Sequence, residues 1–222
     1  MLRVLDLFCG AGGASKGFDD GHNLIVGVDN KAQPHYPYEF IQADASEYPL
    51  DGFDIVHASP PCQAFSTMRD LRLAYDSAGM LIHTIERLRA SSVTAWSVEN
   101  VAGVGYPSDH DVVLCAASFG CLTTDGTKLF MARHRKFWSN VPVSVPACMC
   151  GHYRQRGWRC AGVYGSSTSN RVGWSRSWKA SADQSKALMG IDWMTRRELV
   201  QAIPPIYTGH LYRQWQAHGL WQ

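Results

Sequence analysis

The segment RVLDLFCGAGGASKGF, residues 3–18, decides the expected fold of this chain. Its first six residues are apolar enough for a short buried strand, and a cluster of glycines follows at once. Glycine permits a sharp turn and lets a ligand approach the backbone closely. A strand, a glycine-rich turn and the start of a helix are typical of the nucleotide-binding opening of a doubly wound α/β fold. A plain flexible turn is the alternative interpretation of the glycine cluster taken alone.

Four later apolar runs are also followed by, or end in, residues whose side chains can bind a ligand or react. Residues 23–29 end at an acid 17 positions after Gly12, a spacing typical of a carboxylate that holds ribose hydroxyls. Residues 40–43, 53–58 and 95–98 are the other predicted strands. Because the carboxyl ends of parallel strands meet at one edge of a sheet, we expect the residues that follow them to share a site. Those residues are Asp29, Asp44, Cys62 and Glu99.

The segment SPPCQAFS, residues 59–66, contains the predicted nucleophile. Two prolines end the preceding strand and stiffen the turn, and Cys62 follows them directly. A thiolate at a helix start or near a cation is a good nucleophile because its pKa is lowered. A small buried cysteine in a proline-rich turn is the structural alternative, since a single cysteine is weak support.

Other patterns predict the remaining elements. Apolar residues at helical spacing indicate a helix over 78–90, and residues 111–120 are predicted as a helix that leads into a turn. Residues 128–138 alternate bulky and basic side chains, which is typical of a strand with one basic face. Pro204 and Pro205 can start a final helix. Tyr207, Leu211 and Trp215 would share one face of that helix.

Composition limits the class of protein. The chain has 222 residues, of which 45% are hydrophobic and 18% charged, so it can bury a core and does not resemble a disordered chain. No apolar run approaches the roughly 20 residues of a membrane span. The opening residues lack a secretory pattern, and seven cysteines, an odd number, indicate reduced thiols or metal ligands. These features predict a cytoplasmic location without a membrane partner.

Residues 139–178 differ from the rest, with few long apolar runs and many serines, glycines and prolines. Arginines are interleaved with aromatic residues there, a mixture suited to phosphate contact and base stacking. A solvated face of a small satellite domain is the alternative. Three cysteines and a histidine in this stretch could close a tetrahedral structural zinc site, although their spacing is irregular. The candidate ligands are Cys148, Cys150, His152 and Cys160.

Taken together and in order, these motifs resemble the DNA cytosine-5 methyltransferase family. The matching stretches are residues 6–13 (DLFCGAGG), 61–63 (PCQ), 99–101 (ENV), 117–120 (ASFG), the arginines Arg133 and Arg135, residues 189–192 (MGID) and residues 201–205 (QAIPP). Two departures stand out. Met131 occupies the place of the glutamine that usually precedes the arginines, and Gln201 replaces a usual asparagine. The region without matches, about 40 residues, is short for the family's target-recognition region and suggests a compact, phage-like member.

The resemblance implies a set of site residues and a cofactor. The catalytic residues would be Cys62 as the nucleophile, Glu99 on the target base, Arg135 at developing charge, and Arg133. The cofactor would be S-adenosyl-L-methionine, with no catalytic metal. Its predicted contacts are Phe8, Gly10, Gly12, Asp29, Asp44, Pro61 and Gln201.

The resemblance also implies an architecture and partners. The expected fold is a doubly wound, mostly parallel methyltransferase sheet with a small loop-rich recognition region. Residues 1–138 would form the catalytic domain, 185–222 would complete it, and 139–184 would recognise the target. The expected substrate is cytosine C5 in double-stranded DNA, flipped out of the stack, and the expected assembly is a monomer in a bacterial or phage-infected cell. The same chemistry on tRNA and a catalytically inactive DNA-binding homologue are the alternatives.

Overall fold

The computed structural model describes residues 1–61, 71–104, 111–124, 126–163 and 180–221, without the side chains of 71–78. Cys62 therefore lies outside the described residues. The ten strands of this part are β1 (Arg3–Leu7), β2 (Leu24–Asp29), β3 (Glu39–Gln42), β4 (Ile55–Ala58), β5 (Ala95–Val101), β6 (Asp111–Cys115), β7 (Leu122–Thr124), β8 (Thr127–Phe130), β9 (His134–Ser139) and β10 (Arg159–Cys160). Its α-helices are α1 (Gly13–Gly17), α2 (Leu71–Arg89), α3 (Cys150–Gln155), α4 (Ala182–Met189), α5 (Arg196–Gln201) and α6 (Pro205–Ala217).

Seven strands form one sheet in the order β3-β2-β1-β4-β5-β9-β6. The five strands from β3 to β5 pair in parallel, whereas β9 is antiparallel to both of its neighbours. The central strands are buried on both faces, which explains their continuous apolar sequences. The chain reverses its direction of strand addition between β1 and β4, so the loops after these two strands flank a crevice. The predicted doubly wound, mostly parallel fold is confirmed.

Two sequence predictions of secondary structure are wrong. Residues 111–120 form β6 followed by a short 3-10 helix (Ala116–Phe119) rather than an α-helix. Pairing with β9 overrides the apolar spacing, since β6 finds its hydrogen-bond partners along that strand. Residues 128–138 are divided between β8 and β9, which belong to different sheets. The predicted helix over 78–90 is present, but it begins earlier, at Leu71.

The C-terminal helix packs against the glycine-rich opening of the chain. Tyr207, Leu211 and Trp215 are fully buried, as their spacing predicts. A Cβ atom at Gly17 would overlap Thr208 Oγ1 and would lie 2.5 Å from the Gly209 nitrogen, so only glycine permits this approach of α1 to α6. The Thr208 hydroxyl also donates to the Ala14 carbonyl at 2.7 Å. Residues from the two ends of the chain thus share one core.

A second sheet has the order β10-β8-β7. We call this sheet, together with α3, the small module. Strand β10 pairs with β8 in parallel, so the module joins segments from both sides of residue 139, the predicted border of the recognition region. No helix among the described residues is both long and apolar enough to cross a membrane.

Candidate active site

The turn after β1 has the backbone of a ligand cradle. Phe8, Gly10 and Gly12 all have positive φ angles, of 57°, 49° and 89°, which is a costly conformation for Phe8. Asp29 stabilises the turn from the end of β2, because its Oδ2 accepts the Gly10 N–H at 3.1 Å and its Oδ1 accepts the Lys31 N–H at 3.0 Å. No atom lies within 4 Å of where a Gly10 Cβ would be, so the turn is open to a ligand.

Three other predicted cofactor residues lie at strand or helix ends. Asp44 follows β3 and is exposed, and its Oδ1 accepts the Ser46 N–H at 2.9 Å and the Ser46 hydroxyl at 2.7 Å. These hydrogen bonds hold the pKa of the Asp44 carboxyl below its usual value. Pro61 is exposed just after β4, and Gln201 is exposed at the end of α5. An open glycine turn with carboxylates at the next two strand ends fits a ligand that carries ribose hydroxyls and an adenine.

Asp6 lies beneath this turn and was not singled out from the sequence. It is fully buried in β1, where it accepts a hydrogen bond from the Ser15 hydroxyl. Desolvation raises the pKa of Asp6 to about 7. The Ser15 hydroxyl is also 2.8 Å from the Tyr36 hydroxyl, so α1 is tied to the segment between β2 and β3. An acid in the middle of an apolar strand is the signal that could have identified Asp6.

Glu99 of β5 and Arg135 of β9 form a largely buried ion pair, on the opposite side of β1 and β4 from β2 and β3. Arg135 Nε is 2.8 Å from Glu99 Oε1, and the side chains are only 17% and 6% exposed. The pair joins the carboxyl end of β5 to the antiparallel β9. Desolvation raises the pKa of Glu99 to about 7, although Arg135 and then Arg133 act in the opposite direction. A glutamate with such a pKa can either give or accept a proton near neutral pH.

Asn100 connects this ion pair to the segment that leads to Cys62. The buried Asn100 amide donates to the Pro60 carbonyl at 3.1 Å, and the Ser59 N–H donates to the Leu7 carbonyl at 3.1 Å. The backbone just before Cys62 is therefore fixed to β5 on one side and to β1 on the other. The sequence predicted that these loops would meet, and the structure brings their described parts together.

Comparison with known proteins identifies the relationship. The family model for C-5 cytosine-specific DNA methylase matches residues 2–114, just over half of the chain. The chain belongs to this family. The predicted family is thereby confirmed.

Two curated relatives of this chain come from Herpetosiphon aurantiacus. The chain is 33% identical over 125 residues to Type II methyltransferase M.HgiCI, covering 50% of this chain and 29% of the relative. It is 35% identical over 147 residues to Type II methylase M.HgiDII, covering 50% and 42%. The match thus spans less than half the length of either relative.

Two solved structures share the fold of this chain. Schizosaccharomyces pombe Dnmt2 methyltransferase aligns with a TM-score of 0.53 at 12% identity, covering 98% of this chain and 99% of that one. The Entamoeba histolytica methyltransferase EhMeth aligns with a TM-score of 0.57 at 8% identity, covering 100% and 99%. At this level of identity the likeness concerns the fold.

Arg133 has a different environment from Arg135. Its side chain is almost fully buried, and its guanidinium donates to the carbonyls of Val163 at 3.3 Å and Val200 at 2.9 Å. The Arg133 carbonyl accepts a hydrogen bond from the Tyr207 hydroxyl. These bonds join the residue just before β9 to three other segments and favour a structural role over the predicted catalytic one.

A buried chain of hydrogen bonds ends at Glu99, and the sequence did not reveal it. Ser97 Oγ is 2.8 Å from His57 Nδ1, His57 Nε2 is 3.0 Å from Ser59 Oγ, and the Ser59 hydroxyl bonds to Glu99. Burial lowers the pKa of His57 to about 3, so its imidazole is neutral. If Ser59 donates to the carboxylate, His57 carries its proton on Nε2 and accepts from Ser97 on Nδ1.

A cavity of about 490 Å³ also lies between the 3-10 helix, α4 and α6. Its walls include Lys16, Phe119, Met189 and Arg213. Among the described residues, none of those predicted to bind cofactor or substrate lines it. This cavity is therefore separate from the candidate active site.

Proposed function

We propose that this chain transfers a methyl group from S-adenosyl-L-methionine to C5 of cytosine in double-stranded DNA, with Cys62 as a covalent nucleophile. The observation that carries the proposal is the buried Glu99–Arg135 pair, joined through Asn100 to the backbone just before Cys62. Covalent attack on cytosine needs a thiol below the ring and an acid at its edge. Because β4 and β5 are paired neighbours, the segment that leads to Cys62 and the Glu99 side chain are held at a fixed distance from each other.

The chemistry assigns a separate task to each residue. Cytosine C5 is a poor nucleophile, but a bond from Cys62 Sγ to C6 moves electron density onto C5 while N3 gains a proton. Glu99 in its protonated form donates to N3 and accepts from the exocyclic amine. Arg135 orients Glu99 and places positive charge where O2 becomes electron-rich. Once C5 carries the methyl group, a base removes the C5 proton, the electron pair forms the C5–C6 double bond, and Cys62 leaves as a thiolate while N3 returns its proton to Glu99.

The cofactor supplies an electrophilic methyl group on a sulfonium. The residues we assign to hold it are Phe8, Gly10, Gly12, Asp29, Asp44, Pro61 and Gln201. Asp29→Ala should weaken cofactor binding measured by calorimetry, because it removes a charge-assisted contact and loosens the Gly10 turn. Asp51→Ala is the matched control, since Asp51 is an exposed aspartate before β4, at the opposite end of that strand. Equal affinity for the two variants would remove Asp29 from the site.

A duplex substrate requires that the target base leave the stack, because C6 and C5 must face the thiol and the methyl donor. Arg154, Arg156 and Arg159 are exposed on the small module and could contact phosphates. So short a recognition region presents few side chains to base edges, so we expect a site of about two to four base pairs.

The monomeric state and the cytoplasmic location stay predictions.

The decisive experiment measures transfer of labelled methyl groups to duplex DNA, single-stranded DNA and tRNA side by side, followed by bisulfite sequencing. We expect C5 methylation of duplex DNA at a short sequence. Methylation of tRNA alone would show that the substrate is RNA and that the chemistry is the same. No methylation of any nucleic acid would support an inactive homologue.

A second assay tests the covalent step. A duplex with 5-fluorocytosine at the target should trap the protein in the presence of cofactor, because fluorine at C5 cannot leave as a proton does. The adduct should survive a denaturing gel and be absent for Cys62→Ala. Cys121→Ala should trap normally, since Cys121 is exposed and apart from the predicted site. An adduct formed by Cys62→Ala would disprove the proposed nucleophile.

A further inference from the structure

We propose that Cys115, His134, Cys148 and Cys150 bind one structural zinc ion that joins the small module to the main sheet. Their ligand atoms all lie within 4.8 Å of one another. The Cys115 and Cys150 sulfurs are 3.4 Å apart, and His134 Nε2 is 3.4 Å from the Cys148 sulfur. This proposal concerns the fold and does not depend on the proposed methyl transfer.

These four residues replace half of the ligand set predicted from the sequence. Cys148 and Cys150 belong to both sets, but His152 and Cys160 do not belong to the observed cluster. The His152 ring is directed to Tyr153, with the ring centroids 5.8 Å apart, and Cys160 packs at the edge of a small apolar cluster. Cys115 and His134 were missed because they are 19 residues apart in sequence and become neighbours only in the sheet.

The main sheet fixes two of the ligands before any metal binds. Cys115 is the last residue of β6 and His134 is the first of β9, and the two are directly opposite in the antiparallel pair. Opposite residues of such a pair place their side chains on the same face of the sheet. Cys148 and Cys150 come from the start of α3 and the segment before it, separated only by Met149. The cluster therefore bridges two sheet strands and a short helix.

The ligand chemistry and separations favour zinc. Three thiolates and an imidazole form a common tetrahedral zinc set. An ion about 2.3 Å from each sulfur and about 2.0–2.1 Å from the nitrogen leaves its ligands about 3.6–3.8 Å apart. Two of the observed separations, both 3.4 Å, lie just below this range, and all four ligand atoms lie within 4.8 Å of one another. Soft thiolates also disfavour magnesium and calcium, which prefer oxygen ligands.

Among the described residues, the small module takes part in only two minor apolar clusters. One consists of Cys115, Ala117, Phe130, Ala132 and Cys150, so two of its five buried members are candidate ligands. The other consists of Leu129, Ala161 and Ala180. Clusters this small contribute little stability, and metal binding supplies the deficit in many small modules. Residues 145–149, all of them described, contain no helix or strand.

The test begins with the purified full chain. Elemental analysis should find one zinc ion per chain, and X-ray absorption at the zinc edge should show three sulfurs at about 2.3 Å and one nitrogen at about 2.0–2.1 Å. Cobalt exchanged into the site should give the visible bands of a tetrahedral thiolate complex. Zinc-free protein with four unmodified side chains, or a Cys115–Cys150 disulfide found by mass spectrometry, would overturn the proposal.

Matched variants test the ligand set. Cys148→Ser should lower the zinc content well below one ion per chain, and because Cys148 is exposed, the circular dichroism should stay native. His134→Gln should also lower the zinc content, so the ligand set can still be tested if one of the two variants folds poorly. Cys160→Ser and His152→Gln are the controls from the same module and should retain one zinc ion. Zinc loss in these controls with retention in Cys148→Ser would disprove this ligand set.

Discussion

The edge of the main sheet that carries the candidate active site and the small module are built in different ways. The main sheet is flanked by two extensive apolar clusters, one of which reaches from β1 to the C-terminal helix. These clusters are large enough to tolerate Asp6 and Glu99 as buried acids. Among the described residues, the small module has only minor clusters and contains the Cys-His group. Under our two proposals, buried polar groups carry out chemistry where the apolar core is large and bind a stabilising metal where it is small.

Cys62→Ala should have the largest effect. We expect methyl transfer to fall by at least about 10⁴-fold, because the covalent step has no substitute. The free energy of unfolding should change little, since the substitution removes a single sulfur atom. Labelled-methyl kinetics and urea unfolding would measure both quantities. Parallel losses of activity and stability would show that the active-site edge is not separable from the core.

Glu99→Gln should lower turnover by about 10²–10⁴-fold, since the amide cannot give N3 a proton. In the parent protein the pKa of Glu99 is about 7, so its protonated form dominates only below that pH. We therefore expect kcat/KM of the parent to decline above about pH 7 and this decline to be absent from the variant. The raised pKa also means that folding stability decreases as pH rises from the ordinary glutamate pKa towards 7, because the folded state holds the proton longer. A pH–rate profile and pH-dependent unfolding test these expectations.

Zinc removal should affect the small module and spare the main sheet. Chelation should raise hydrogen exchange in peptides from residues 140–163, because the cross-link between α3, β6 and β9 is lost. Peptides from β1 and β4 should exchange as before. Equal exchange changes throughout the chain would show that the two regions form one cooperative unit.

Gly17→Ala should destabilise the protein by about 1–3 kcal/mol, as expected for overpacking, because the new methyl group would overlap Thr208 on α6. Gly79→Ala is the matched control, a helical glycine with no atom within 4 Å of where its Cβ would be. It should be neutral or stabilising by about 0.5–1 kcal/mol. Thermal unfolding of both variants checks the difference, and equal melting temperatures would contradict the close α1–α6 contact.

Ser59→Ala should have the smallest effect. The Ser59 hydroxyl lowers the pKa of Glu99, so its loss should move the alkaline limb of the pH–rate profile upward, by about one pH unit or less. Ser91→Ala is the control, since the Ser91 hydroxyl donates to the Leu88 carbonyl at the end of α2. A downward shift for Ser59→Ala would contradict the hydrogen-bond chain.

The sequence by itself determined the fold class and the family, and it supplied most of the positions that we assign to the active-site edge. Each of these depends on local patterns, because a strand, its glycine turn and the acid at the next strand end are encoded within about 25 residues. The positions of Asp29 and Glu99 near the carboxyl ends of strands could be predicted this way, and so could the buried face of α6. The errors over residues 111–138 arose where pairing with a distant strand outweighed local spacing.

Only the tertiary structure decided which distant polar groups become partners. It separated the two arginines, directing Arg135 to Glu99 and Arg133 to backbone carbonyls, although they are two residues apart. It also brought His57 to Ser59 and placed Cys115 opposite His134. Sheet pairing and burial bring together residues that are far apart in the sequence, and local sequence patterns do not predict such contacts.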